Sequence, residues 1–192
     1  MGRAQSLLER FLAYPYPLRY YLYKRFDRWR RPPARPYWSR IREGRVERPH
    51  YGYCLYEAAV LAKILGHSTI SAIEFGVAGG NGLVNMEQHA RAITHETGIG
   101  FELFGFDIGS GLPASTDYRD APYGWGAGFY RMDRAKLEAR LSCARLVIGD
   151  VADTVPQFLA SHGPAPIGAV MFDLDQFTST SHALRLFDAE AR

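Results

Sequence analysis

The stretch "AIEFGVAGGNGLVNMEQHARAITHETG" (Ala72–Gly98) decides the fold. Ala72–Val77 is apolar except for Glu74, as expected of a strand covered on both faces. Glycines at 76, 79, 80 and 82 then let the backbone turn sharply and approach a ligand closely. From Gly82 to Gly98 the periodicity becomes helical, with Met86, Ala90 and Ile93 on an inward face. A buried strand that feeds a glycine turn and a helix is the repeating unit of a parallel α/β sheet.

The alternation continues on both sides. "FELFGFD" (Phe101–Asp107), "RLVIGD" (Arg145–Asp150) and "IGAVMFD" (Ile167–Asp173) read as three more strands. Helices are expected over Cys54–Leu65, with Leu55, Ala58, Ala62 and Leu65 facing inward, and over Arg131–Leu141. Two more are expected over Thr154–Ser161, with Pro156 in its first turn, and from Ser181 to Phe187. The fold class is therefore α/β, a Rossmann-like parallel sheet with four strands. Each strand ends in a polar or glycine-rich turn, and that carboxyl edge is where open α/β sheets bind ligands.

The 192 residues suffice for one domain with a filled core. No apolar run is long enough to span a bilayer, and the N-terminus lacks the apolar stretch of a secretory signal. Cys54 and Cys143 form no C-x-x-C pair, so a reducing cytoplasm is the expected compartment. The net charge of +3 hides an asymmetry. Residues 1–50 carry 13 Lys+Arg against 4 Asp+Glu, and the remainder is acidic. The expected organisation is a basic, aromatic arm over residues 1–50 and a domain over residues 51–192. Leu7, Leu8, Phe11 and Leu12 can share a helical face, but prolines at 15, 17, 32, 33 and 36 interrupt the arm. It suits contact with an anionic membrane surface, or packing of its aromatics on the body or a partner. No nucleic-acid module accompanies the charge, so nucleic acid is not an expected partner.

The chemistry concentrates at the strand ends. Glu74 precedes the glycines, where a carboxylate can accept hydrogen bonds from a ligand ammonium and would repel a pyrophosphate. The glycine phasing also fits the dinucleotide fingerprint poorly, which argues against a nicotinamide oxidoreductase. Asp107 is placed to hold ribose hydroxyls or to cap a turn. Asp150 is placed to meet an adenine or to cap the next helix. An ammonium and a ribose on one ligand suggest S-adenosylmethionine. The fourth strand runs into Asp173 and Asp175. Between the second and third strands, "PASTDYRDAPYGWGAGFY" (Pro113–Tyr130) is an aromatic loop, either a lid or a loop pinned by its own rings. The six histidines show no metal-ligand spacing, and His89 and His95 read as core or surface residues. Neither a Gly-x-Ser-x-Gly elbow nor a Walker lysine is present.

Four blocks in order resemble the macrocin O-methyltransferase family of class I S-adenosylmethionine-dependent enzymes. They are "EFGVAGGNG" (Glu74–Gly82), "FDIGSGLP" (Phe106–Pro113), "GDVADTVP" (Gly149–Pro156) and "DLDQFTST" (Asp173–Thr180). The "GWGAG" stretch (Gly124–Gly128) is similar as well, and the resemblance covers roughly Ala72–Phe187. It implies that Glu74, Gly76, Gly80 and Gly82 form the methionine side of the cofactor site. Asp107 would form the ribose side, with Asp150 nearby. Asp173 and Asp175 would lie under the transferring methyl group as catalytic and metal-ligating residues for magnesium. The acceptor implied is a hydroxyl of a sugar or another small molecule. Phe177 stands where the family usually has tyrosine, and the family's later Asp-Asp pair has no counterpart here. The expectation is therefore the first four strands of a seven-stranded sheet, the N-terminal part or a truncated copy of a longer enzyme. The alternative is a non-catalytic S-adenosylmethionine-binding or interaction protein docked through its basic arm. An open sheet edge and an aromatic arm both favour self-association.

Overall fold

The computed structural model describes residues 35–188. The arm's first apolar face and its prolines at 15, 17, 32 and 33 lie outside the described residues. Along the described chain run α1 (Tyr37–Arg42), α2 (Pro49–Ile64), β1 (Thr69–Phe75), α3 (Asn81–Thr97) and β2 (Gly100–Asp107). Then come α4 (Arg134–Glu138), β3 (Arg145–Ile148), α5 (Val151–His162), β4 (Ile167–Phe172) and α6 (Phe177–Ala183). The four strands are all parallel, in the order β3-β2-β1-β4. The chain steps outward from β1 to β3 and then crosses back to the other side of β1. This reversal between β1 and β4 opens a crevice at their carboxyl ends, where ligands bind in such sheets.

Period-two alternation divides the sheet residues between two cores. Ile70 and Ala72 of β1 pack with Leu103, Ala169 and Met171 under Leu55 and Ala59 of α2 and Met86, Ala90 and Ile93 of α3. Ile73 and Phe75 face the other way, with Phe104, Phe106 and Val147 against Val155 and Phe158 of α5. Helices therefore cover both faces, the condition under which parallel strands read as continuous apolar runs. The same alternation puts Glu74 on the α2–α3 side, in line with Ile70 and Ala72 and under two helices. At the edge, β4 pairs only with β1 among the described strands, and its Gly168 and Phe172 are exposed.

Several helix expectations need correction. Leu65 is exposed because α2 stops at Ile64, and Ala59 rather than Ala58 is the fully buried alanine of that face. The helix expected over Arg131–Leu141 shrinks to α4. Buried Glu87 of α3 accepts the backbone N–H groups of Ser142, Cys143 and Ala144, drawing the chain out of helical pairing just beyond it. Asp150 caps α5 by accepting from Ala152 N at 2.8 Å. The helix thus begins at Val151, and Pro156 falls in the second turn. Part of the expected arm also packs on the body. Trp38 stacks on Tyr56, Tyr37 bonds His89 Nδ1 through its hydroxyl, and Ile41 is buried. His89 is a core residue whose Nε2 meets the Glu47 carbonyl at 2.8 Å. Among the described residues no helix is long and apolar enough to cross a membrane.

Candidate functional site

Glu74 forms the floor of the site. It is 1% exposed, and Tyr51 of α2 donates its hydroxyl to Oε1 at 2.7 Å. Its second oxygen, Oε2, is buried with no hydrogen-bond partner among the described residues. Burial, opposed by the Tyr51 bond, pushes the Glu74 carboxyl from its ordinary 4.5 up to about 7. The phenol of Tyr51 is held well above its usual value by burial and by Glu74, so it stays a donor. An unmet buried acceptor costs about 1–3 kcal/mol. Glu74 belongs to the wall of the cavity described below, and an unmet carboxylate oxygen there suits an ammonium donor.

The loop above this floor has little freedom. Gly76 has φ +87°, and a Cβ there would lie 2.3 Å from the Asp173 carbonyl oxygen where the ends of β1 and β4 cross. A Cβ on Gly82 would lie 1.8 Å from Glu74 Oε1, so the second residue of α3 is a glycine that lets the helix sit directly over the carboxylate. Gly80, also left-handed, is covered by Leu137 of α4. Arg140 ties the loop down by donating to the Gly79 carbonyl and to Asn81 Oδ1. Asp107 holds the other side. Its Oδ2 accepts from Val77 N and Ala78 N at 3.0 and 2.8 Å, and its Oδ1 from Gly109 N at 2.6 Å. A carboxylate has about four lone-pair sites, so most of the capacity of Asp107 is spent on shaping the loop.

The rim is more open. Asp173 and Asp175 are both exposed, and partial burial and the neighbouring Asp173 raise the Asp175 carboxyl. The aromatic loop reaches this rim through polar anchors. Gln176 Nε2 donates to the Pro113 carbonyl at 2.9 Å. Fully buried Asp120 accepts from Thr178 N at 2.7 Å and from the Ser115 hydroxyl. Tyr118 and Tyr123, in contrast, stand in solvent at 83% and 92% exposure. Arg119, paired with Asp117, lies 4.1 Å over the ring of Phe177.

All eight residues singled out from the sequence, Glu74, Gly76, Gly80, Gly82, Asp107, Asp150, Asp173 and Asp175, line one cavity of about 480 Å³. Tyr130, from the aromatic loop read as a lid or a pinned loop, is in the same wall, and sequence reasoning missed Arg48, Gln176 and Ser179 there and Tyr51 behind it. Nothing in the local pattern marks Arg48 among the 13 basic residues of its region. Backbone conformation does mark it. Of four non-glycine residues with left-handed φ among the described residues, Arg48, Ala78 and Tyr130 line the cavity. Such backbone strain concentrates at functional sites.

No protein-family model matches this chain, and no curated protein does. Among solved structures, the calicheamicin methyltransferase CalS11 is similar over 74% of this chain, with 24% identity and a TM-score of 0.55. An apo structure of CalS11, described as a TDP-rhamnose 3'-O-methyltransferase of calicheamicin biosynthesis, aligns at 22% identity and a TM-score of 0.44, too loosely to carry an argument. This chain spans 61% of the length of the first structure and 58% of the second. With its parallel sheet and strand order, the chain has a Rossmann-like α/β fold of the class I methyltransferase type.

Proposed function

We propose that this cavity binds S-adenosylmethionine and that the chain, alone or as part of a longer protein, transfers its methyl group to a hydroxyl of a small molecule. One observation carries the reading: the buried, unpartnered Oε2 of Glu74 in the cavity wall, behind a glycine loop. That oxygen fits the cofactor's ammonium, which would draw Glu74 into its ionised form. The fold shared with a calicheamicin methyltransferase supports the reading, and a sugar hydroxyl is the acceptor favoured by the resemblance of the four blocks to the macrocin O-methyltransferase family.

When bound, the cofactor supplies an electrophilic methyl on a sulfonium. Glu74 holds its ammonium, and the remaining acceptor capacity of Asp107 serves the ribose. Asp150, whose Oδ1 is committed to the α5 cap, would have its other oxygen left for the adenine side. Asp175, at the rim, would accept the proton that an acceptor hydroxyl gives up to the site. Its raised carboxyl suits it as a base better than an unperturbed carboxylate. Among the described residues no three His, Cys, Asp or Glu side chains converge as a metal site. Among the described residues Asp173 and Asp175 alone do not amount to a magnesium centre. A non-catalytic cofactor-binding protein is favoured instead if that rim proves inert.

Calorimetric titration of the full chain with S-adenosylhomocysteine and with NAD, each with and without magnesium chloride, tests the binding. The expected result is saturable binding of S-adenosylhomocysteine and none of NAD. Binding of NAD alone sinks the proposal. Tight product binding without methyl transfer to any nucleotide-sugar acceptor moves the reading to the non-catalytic form.

A further inference from the structure

Five carboxylates line the cavity: Glu74, Asp107, Asp150, Asp173 and Asp175. Arg48 is the only Lys, Arg or His in that wall among the described residues. Its backbone sits at φ 43°, ψ 60°, at the N-cap of α2, a left-handed conformation that costs a β-carbon-bearing residue about 1–2 kcal/mol. The carbonyl of Arg48 opens α2 by accepting from Tyr51 N at 2.9 Å. The guanidinium, in contrast, makes no hydrogen bond and no ion pair with the described residues. It lies over the ring of Tyr51, 5.7 Å from the centroid, and its charge is felt by Glu74 and His50. That same tyrosine holds Oε1 of Glu74 through its hydroxyl. One phenol therefore carries a carboxylate at its tip and a cation beside its ring, and the two form no ion pair with each other.

We infer that Arg48 binds the α-carboxylate of the ligand's amino-acid end, while Glu74 binds its ammonium. This rests on the cofactor reading above and extends it to the recognition of a zwitterion. A free carboxylate entering this wall meets repulsion from the aspartates on every other side, and a guanidinium matches its two oxygens with two N–H donors. The strained backbone is retained because it turns the side chain of the α2 N-cap into the site.

The test compares two probes, S-adenosylhomocysteine and its decarboxylated analogue, which keeps the ammonium, thioether and nucleoside. The full chain binds the first about 10- to 100-fold more tightly than the second, the range expected for a charge-assisted pair. Arg48→Gln removes that preference by weakening S-adenosylhomocysteine alone, and Arg48→Lys restores part of it. Circular dichroism of each variant reports whether it is folded. The wild-type preference is read without any variant, so a misfolded Arg48→Gln leaves the test intact. Equal affinity of the wild type for both probes overturns the inference and leaves the cofactor reading standing. The same holds if Arg48→Gln weakens both probes alike or neither, in which case the N-terminus of α3 carries the carboxylate. Failure of the wild type to bind either probe overturns both readings together.

Discussion

The floor and the rim of the cavity are built on different terms. At the floor, Glu74 is enclosed by Tyr51, Gly82 and the glycine loop, and each neighbour leaves room for only one arrangement. At the rim, Asp173 and Asp175 are exposed, and the aromatic loop beside them is fastened at Pro113, Ser115 and Asp120 while Tyr118 and Tyr123 face solvent. The floor is preorganised for one charged group. The rim has a fixed base and a free surface, which suits the recognition of variable acceptors. Invariant chemistry belongs where packing dictates geometry, and adaptable contacts belong where it does not.

The largest expected effect breaks the floor. Gly76→Ala forces a β-carbon into left-handed φ and against the Asp173 carbonyl, so the fold should lose about 3 kcal/mol or more. Urea denaturation checks this; a loss below about 1 kcal/mol would mean that the crossing of β1 and β4 is loose.

The next effect concerns charge. Because the folded state raises the Glu74 carboxyl from 4.5 to about 7, it binds that proton more tightly than the unfolded chain does. The corresponding stability is fully present below about pH 4.5 and is lost as pH rises toward about 7, amounting to at most about 3 kcal/mol. Glu74→Gln should flatten this part of the melting-temperature profile, and an unchanged slope assigns it to other groups. The groups facing Glu74 are Tyr51, Asp173, Arg48 and Asp107. In the wild type, affinity for S-adenosylhomocysteine should rise from pH 6 to pH 8 as Glu74 ionises, and Glu74→Gln should abolish that rise.

The smallest effect belongs to the rim. Asp173→Asn and Asp175→Asn should each change stability by no more than about 0.5 kcal/mol, because both side chains are exposed. Methyl transfer should fall sharply in the Asp175 variant while S-adenosylhomocysteine binding stays within about twofold. A large loss of stability would show that the rim is as tightly determined as the floor.

The sequence by itself determined the strand–glycine–helix order, the four parallel strands and the clustering of strand-end acids. These rest on apolar periodicity and on backbone conformations that glycine permits, both local properties. It placed Glu74, Asp107 and Asp150 at strand ends and left open whether Asp107 and Asp150 meet a ligand or a backbone N–H. Only the tertiary structure decided that Asp107 and Asp150 give much of their bonding to the backbone and that Glu74 keeps one oxygen free. It also decided that the chain leaves helical pairing by Ser142, whose backbone N–H goes to a carboxylate 55 residues earlier in the chain. Arg48 and Tyr51 lie more than 20 residues before Glu74, and no spacing rule joins them to it. They meet because α2 folds over the carboxyl end of β1, a long-range packing event that buries apolar area and carries the polar groups with it.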